Sequence, residues 1–199
     1  AQRRDLPRPD VHRAPGDRQT TRLAKAELLL GSMLLGHMVD LGIEVKQEHI
    51  TSSDGRIAGG DRTLHSVEPF AQLEIAGDRW TIAPGARLTW NEQWGAHVSP
   101  KVALRWTAHP SLALRLSAAG GFRAPDFKEL YFDFTNDGAG YAVHGNPDLQ
   151  PETSRNVSLG AEWTTTRVYL RTQLFWNDLR DFIETRPLSE SDEFTVYTY

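Results

Sequence analysis

An alternation of apolar and polar residues with a period of two recurs eight times along this chain, and a repeat of that kind folds as sheet. The clearest instance sets Val98, Pro100, Val102, Leu104 and Trp106 against His97, Ser99, Lys101, Ala103, Arg105 and Thr107. Comparable runs occupy residues 20–30, 39–46, 67–75, 80–90, 112–117, 156–163 and 168–177, and no segment sustains a helical period. The runs are long, about 10 to 12 residues. Strands of soluble domains average about five or six residues, whereas a tilted strand that crosses a bilayer needs about 9 to 11.

Connection lengths divide by side. Tight turns are expected at Gly77-Asp78-Arg79, Ala108-His109-Pro110 and Thr164-Thr165-Thr166, and a further turn within residues 31–36. The opposite side carries residues 51–64, the short 91–96, the long 121–160 and 187–193. Short turns on one rim and longer loops on the other are the pattern of outer-membrane barrels. Trp80, Trp90, Trp106, Trp163 and Trp176 sit toward strand ends, where an indole with an apolar body and a wet N–H favours a membrane interface. Arg87, Lys101, Arg105, Arg115, Glu162 and Arg171 share the face opposite the apolar stripe. That face lines a wet lumen in a membrane barrel and faces solvent in a soluble sandwich, so it fits both. Pro84 and Pro100 interrupt ordinary sheet pairing and imply local bulges.

A formal net charge of −4 argues against a dedicated nucleic-acid binder. The absence of cysteine removes disulfides, thiolate nucleophiles and Cys-based zinc sites. No apolar run reaches the length of a membrane helix. No secretory signal is visible, and residues 1–19, with three prolines and no periodicity, are expected to form a loop or mobile tail. Asp5, Asp10 and Asp17 among the arginines there weaken a nucleic-acid-arm reading.

One stretch breaks the alternation. It runs over residues 121–160, opening with Phe122-Arg123-Ala124-Pro125-Asp126-Phe127-Lys128-Glu129-Leu130-Tyr131 and closing on Gly145-Asn146-Pro147-Asp148-Leu149-Gln150-Pro151-Glu152-Thr153-Ser154. An interruption of this length is a functional insertion or a long loop.

These motifs carry a resemblance. Ala83-Pro84-Gly85-Ala86-Arg87-Leu88, then Val98 to Leu104, then Phe122-Arg123-Ala124-Pro125 with Glu129-Leu130-Tyr131, and above all Asn146-Pro147-Asp148-Leu149 with Pro151-Glu152-Thr153-Ser154, follow one another as in the barrel of a TonB-dependent outer-membrane receptor. The likeness extends over roughly residues 38–185. It implies an all-β fold: an antiparallel up-and-down transmembrane β-barrel with long extracellular loops and short periplasmic turns, in the outer membrane of a Gram-negative bacterium. Barrels of this class have about 22 strands and a plugged lumen. About nine strands are expected here, with Phe194 to Tyr199 opening the last of them. Residues 20–199 therefore read as a partial barrel truncated at both ends, without a plug domain or TonB box. A part-barrel has two open edges, so this stretch alone is expected not to insert stably.

The function implied is active uptake of a large scarce ligand: ferric siderophore, haem or cobalamin. The partners implied are outer-membrane lipid, the TonB complex acting through a plug, and a small-molecule metal chelate or cofactor as cargo, with no nucleic acid and no resident cofactor. Arg123 and Lys128 are expected to meet anionic ligand groups, with Tyr131 and Tyr141 beside them. The Phe122–Pro125 and Asn146–Leu149 boxes resemble the pair in haem-uptake receptors, and His144 between them is a candidate ligand for haem iron or a solvated loop histidine. Phe122, Pro125, Asn146, Pro147, Pro151 and Glu152 are expected to brace the loop base, with Glu152 pairing to Arg123 or Arg155. Asp133, Asp137 and Asp148 lack the partners that catalysis requires, so no enzyme is expected. The rival from another class is a soluble all-β ligand-binding module whose apolar face is a buried core.

Overall fold

The computed structural model describes residues 18–53, 55–191 and 194–199. Residues 1–17 of the expected tail fall outside them, Arg18 exchanges hydrogen bonds with Ser53, and Gln19 already begins the first strand. Eight strands form one antiparallel sheet: β1 (Gln19–Leu34), β2 (His37–Ser52), β3 (Asp61–Ala76), β4 (Trp80–Asn91), β5 (Gly95–His109), β6 (Leu112–Arg123), then β9 (Glu152–Thr164) and β10 (Tyr169–Arg180). Each strand pairs with its sequence neighbour, and β6 pairs with β9 across the long insertion. That is up-and-down topology.

The insertion is ordered. It holds a short helix α1 (Phe127–Tyr131), β7 (Asp133–Asn136), a 3₁₀ turn (Asp137–Ala139) and β8 (Tyr141–His144). With β11 (Arg186–Glu190) and β12 (Thr195–Thr198) these strands make a second sheet in the order β11-β12-β8-β7. Two expectations change here. The stretch from residue 121 is not one unperiodic loop, because β6 continues through Gly120-Gly121 to Arg123, held by β9 from Leu112↔Trp163 to Arg123↔Glu152. The segment ending at Tyr199 is a strand, but it runs parallel to β8 in the second sheet and does not extend the first.

Turns alternate as expected. On one rim they are tight: Leu35-Gly36, 77–79, 110–111 and 165–168. Leu35 and Gly36 both have positive φ (52° and 82°), the requirement of a type I′ hairpin whose twist matches the strands. Longer loops gather on the other rim. Cross-strand register puts Trp80 opposite Trp106 near the tight-turn rim, while Trp90 lies toward the other end of β4. About ten residues at roughly 3.3 Å, tilted by about 40°, span about 25 Å, the height of a barrel's lipid-facing band.

The prolines now have a physical account. The β3–β4 ladder skips from Gln72↔Gly85 to Ile75↔Ile82 around Pro84, and from Val67↔Trp90 to Phe70↔Arg87 around Pro69. The β5–β6 ladder stops at Lys101↔Ala119, next to Pro100. A Cβ on Gly120 would lie 3.1 Å from Pro100 Cδ, so the donor-less side of Pro100 faces β6. Each strand proline stands where a ladder is already open.

Apolar side chains on one face of the large sheet stay exposed: Leu28 57%, Leu41 48%, Leu159 53%, Leu174 70%. The second sheet sits over the long-loop rim and not over this face, so the soluble-module expectation of a buried core there is not met. The opposite face is charged. Lys25 Nζ lies 2.6 Å from Glu44, Lys46 2.7 Å from Glu68, and Arg87 2.9 Å from Glu68, a ladder of alternating sign across four strands. Arg115 and Glu162 form a two-pronged pair farther along. The buried apolar residues are mostly elsewhere: Ile50, Ile57, Leu130, Ala142 and Ile183 gather at the loop rim.

Candidate functional site

The loop rim is built from a local signal. Asp126 follows Pro125 and is followed three residues on by Glu129, the spacing of a capping box. Asp126 Oδ1 accepts from the backbone N–H groups of Lys128 (2.7 Å) and Glu129 (2.9 Å), and Glu129 Oε2 accepts from the Asp126 N–H (2.8 Å). This nucleates one helical turn and buries Leu130. A five-residue helix shows no periodicity, so this capping box is its one signal in the sequence.

Glu129 has a second task. Arg123 donates from Nη1 and Nη2 to Glu129 (both 3.0 Å) and from Nε and Nη2 to Glu152 (2.6 and 2.8 Å). One guanidinium thereby joins the end of β6, the start of β9 and α1. Glu152 Oε1 also accepts from the Ile183 N–H (2.8 Å), which ties in the segment after β10. Both charges lie at the loop ends of their strands, beyond the apolar belt. The Arg123 hydrogen bonds hold the Glu152 carboxyl below the usual carboxylate range against the opposing cost of burial, with help from the Ile183 N–H. Glu152 and then Glu129 push the Arg123 guanidinium higher still. The expectation that Glu152 braces the loop through Arg123 or Arg155 resolves to Arg123. Arg123, expected to meet the ligand, has all three of its nitrogens on these two carboxylates.

The other expected base residues lie close by. Phe122 stacks on His97, ring centroids 4.1 Å apart. Pro125 and Pro151 are buried, while Pro147 is exposed in the turn after Asn146. Asn146 Oδ1 accepts from the Asp148 N–H (3.0 Å), and its amide donates to the Tyr199 carbonyl (3.3 Å).

A third loop, from the β2–β3 hairpin, closes the cap. Ile57 bridges to Phe132, Ala58 N–H donates to the Tyr131 carbonyl (2.7 Å), and Asp133 N–H donates to the Arg56 carbonyl (2.8 Å). Ile57 is 1% exposed. Arg62 lies over the Tyr131 ring at 4.6 Å, and Arg56 over Phe134 at 4.9 Å. Phe134 also meets Tyr141, centroids 5.9 Å apart. Tyr131 and Tyr141 therefore belong to the packing of the cap as well as to its surface. Nothing in the sequence links residues 56–62 to 131–134, so the parts played by Arg56, Ile57 and Arg62 are visible only in the structure.

His144 ends β8 opposite Asp133, with Nδ1 3.1 Å from Asp133 Oδ1. A carboxylate within reach of Nδ1 orients the ring, as carboxylates do behind metal-binding imidazoles. Among the described residues no group of three or more metal-ligating side chains converges, so His144 offers one ligand and not a cage. Lys128 is exposed on α1. Below the helix, on the charged face of the sheet, a cavity of about 460 Å³ is lined by Lys46, Glu68, Arg87, Arg123 and Asp126 among others.

Comparison with known proteins agrees with this architecture. The family described as TonB dependent receptor-like, beta-barrel, matches residues 38–199. The chain is 30% identical over 154 residues to the iron-regulated outer membrane virulence protein of Vibrio cholerae serotype O1, covering 74% of this chain and 23% of that protein. In structure it is similar to the siderophore receptor PirA of Pseudomonas aeruginosa (TM-score 0.77, 18% identity, 92% of this chain and 37% of the other). It is also similar to a mutant of the ferric enterobactin receptor PfeA of the same organism (TM-score 0.74, 22% identity, 90% and 31%). The chain thus spans about a quarter of the length of the curated relative and about a third of these solved structures.

Proposed function

We propose that this chain, which belongs to the TonB-dependent receptor family of outer-membrane β-barrels, supplies part of the wall and the ligand-capturing loops of a receptor for a large scarce ligand, with a ferric siderophore as the leading candidate. The family is one of receptors and transporters. The observation that carries the reading is the ordered cap: three loops from separate hairpins meet over one rim and hold Lys128, Tyr141 and His144 on a rigid base. Capture of a bulky chelate benefits from such a base, because little loop entropy is left to lose on binding. The siderophore preference rests on the relatives, whose names refer to iron regulation, ferric enterobactin and siderophores. Haem and cobalamin remain cargoes of the same class.

In this reading the cap binds the ligand from outside. A plug in the lumen, coupled to TonB, then rearranges to let it pass, and the wall described here stays passive. Lys128 contributes charge to an anionic chelate, Tyr131 and Tyr141 contribute aromatic surface, and His144, oriented by Asp133, is the residue that haem iron as cargo would engage. The test is iron-limited growth and direct binding by the whole receptor with residues 133–144 replaced by a short linker. Loss of ferric-siderophore binding with the barrel intact is expected; unchanged binding would overturn the proposal. A whole receptor that binds no ferric siderophore and whose haem-dependent growth is lost in His144→Ala would move the assignment to haem.

A further inference from the structure

Beyond the cap, the lipid-facing side of the wall holds an amphipathic trough. On that face β6 presents only Ala118 and Gly120 between Val98 and Val102 of β5 and Val157 of β9, so the surface dips there. The dip deepens where the β5–β6 ladder stops beside Pro100, and a cavity of about 690 Å³ opens at that seam. Its upper edge is charged. Register pairs Val157 with Trp176, then Arg155 with Asp178, then Thr153 with Arg180, all on the lipid-facing side, and Arg155, Asp178 and Arg180 line the cavity. Arg155 and Arg180 are exposed. Asp178 lies between them, with its Oδ2 3.6 Å from Arg180 Nε. That separation makes an ion pair without a hydrogen bond, and it leaves the group one positive charge in excess.

Height settles what such a group meets. Arg155 is about eight residues above Trp163 in β9, and Arg180 is level with Thr153, about ten above. At roughly 3.3 Å per residue and a tilt of about 40° these stand about 20 to 25 Å above the lower tryptophans, at the upper edge of the apolar band. Apolar walls below and guanidinium groups above, at headgroup depth, complement an acyl chain with a phosphorylated head. We propose that this trough binds a phosphorylated lipid of the outward-facing leaflet, its phosphate on Arg155 and Arg180 and one chain lying along Ala118 and Gly120. The inference rests on the barrel crossing the membrane and is independent of which ligand the cap takes up.

The experiment is retention of a phosphorylated glycolipid, lipid A, by the whole receptor in zwitterionic detergent, read by native mass spectrometry. Removing each arginine is expected to weaken retention about fivefold, the worth of one basic residue near an anionic surface. Arg155→Gln/Arg180→Gln should therefore retain far less lipid A than wild type, and Ala118→Trp, which fills the trough and leaves both arginines, should also lose it. Lys101→Gln lies at the same cavity but on the charged face and should retain it fully. Heat-modifiable migration checks that every variant is folded. Equal retention by the double variant and wild type, equal loss in Lys101→Gln, or displacement of the lipid by millimolar inorganic phosphate would each overturn the proposal.

Discussion

The wall and the cap of this molecule are stabilised by opposite means. In the wall, long ladders satisfy the backbone: β1 and β2 alone keep an unbroken register from Gln19↔Ser52 to Leu34↔His37. The apolar side chains of the wall stay exposed on one face and become buried only when lipid covers them. The cap has few ladder bonds but most of the fully buried apolar side chains, with Ile57, Leu130 and Ala142 at 1%, 3% and 2% exposure. It carries its own small core and its own ion-pair clamp. A sheet that borrows its surroundings from the bilayer and a cap that makes its own should fail separately, and substitutions can be chosen to show that.

The largest separation is expected at Gly145. A methyl added there would lie 2.6 Å from Leu130 C and from Tyr131 N, both backbone atoms at the end of α1. Neither can swing aside as a side chain would. Gly145→Ala should cost the cap about 2 to 3 kcal/mol, the upper range for overpacking. Limited proteolysis should then cut within residues 124–151 while heat-modifiable migration of the barrel is unchanged. Simultaneous loss of both would show that wall and cap form one cooperative unit.

The clamp comes next. Arg123→Ala leaves Glu129 and the buried Glu152 facing each other without a cation. A charge-assisted set of this kind is worth about 1.5 to 3 kcal/mol, and the low end is expected because the Arg123 side chain is 43% exposed and partly screened by solvent. Arg123→Lys should rescue little, since one ammonium cannot hold two carboxylates in a fork. Hydrogen exchange at the Ile183 amide reports the result, because that N–H donates to Glu152.

The same amide should also reveal a smaller effect of pH. Glu152 has its folded pKa lowered, so its contribution is fully present above the ordinary glutamate pKa and is lost as pH falls through the lowered value. Arg123 stays charged throughout. Protection at Ile183 should be flat from neutral pH down through the ordinary carboxylate range and fall only below it. A midpoint at or above the ordinary glutamate value would mean that the clamp does not hold Glu152 as a carboxylate.

How far the sequence revealed each region follows from the same contrast. Wall strands announce themselves because each residue's face is fixed by its parity, so Val98 to Trp106 is legible without a partner. Their order followed, as did the tight turns, while the wall has eight of the about nine strands expected. The Glu152–Arg123 pair was within reach because both residues flank one insertion. Illegible were contacts between distant loops: Ile57 with Phe132, Arg62 with Tyr131, and the parallel pairing of β12 with β8. These depend on where hairpins end in space, which no local pattern encodes. The Asp126–Glu129 capping box was readable and marks the helix that occupies Arg123. The second carboxylate of Arg123, Glu129, lies only six residues away, yet it does not look like a partner until the chain turns.

The smallest effect should come from the wall's own ion pair. Arg115 donates from Nε and Nη2 to the two carboxylate oxygens of Glu162 (3.0 and 3.1 Å), with Arg171 Nε 3.8 Å from the same group. The geometry is as good as that of the Arg123 clamp, yet the consequence should differ. Arg115 and Glu162 are joined by the β6–β9 ladder whether or not their side chains meet, since Arg115↔Gly160 and Ala113↔Glu162 are already in register. The pair also faces the wet side of the sheet, where solvent and salt screen it. Arg115→Gln should therefore shift barrel melting less than Arg123→Ala disturbs the cap, and the shift should shrink as salt is raised. A large, salt-insensitive loss would mean that this face is covered in the working receptor, and that the wall, like the cap, keeps some of its charges out of water.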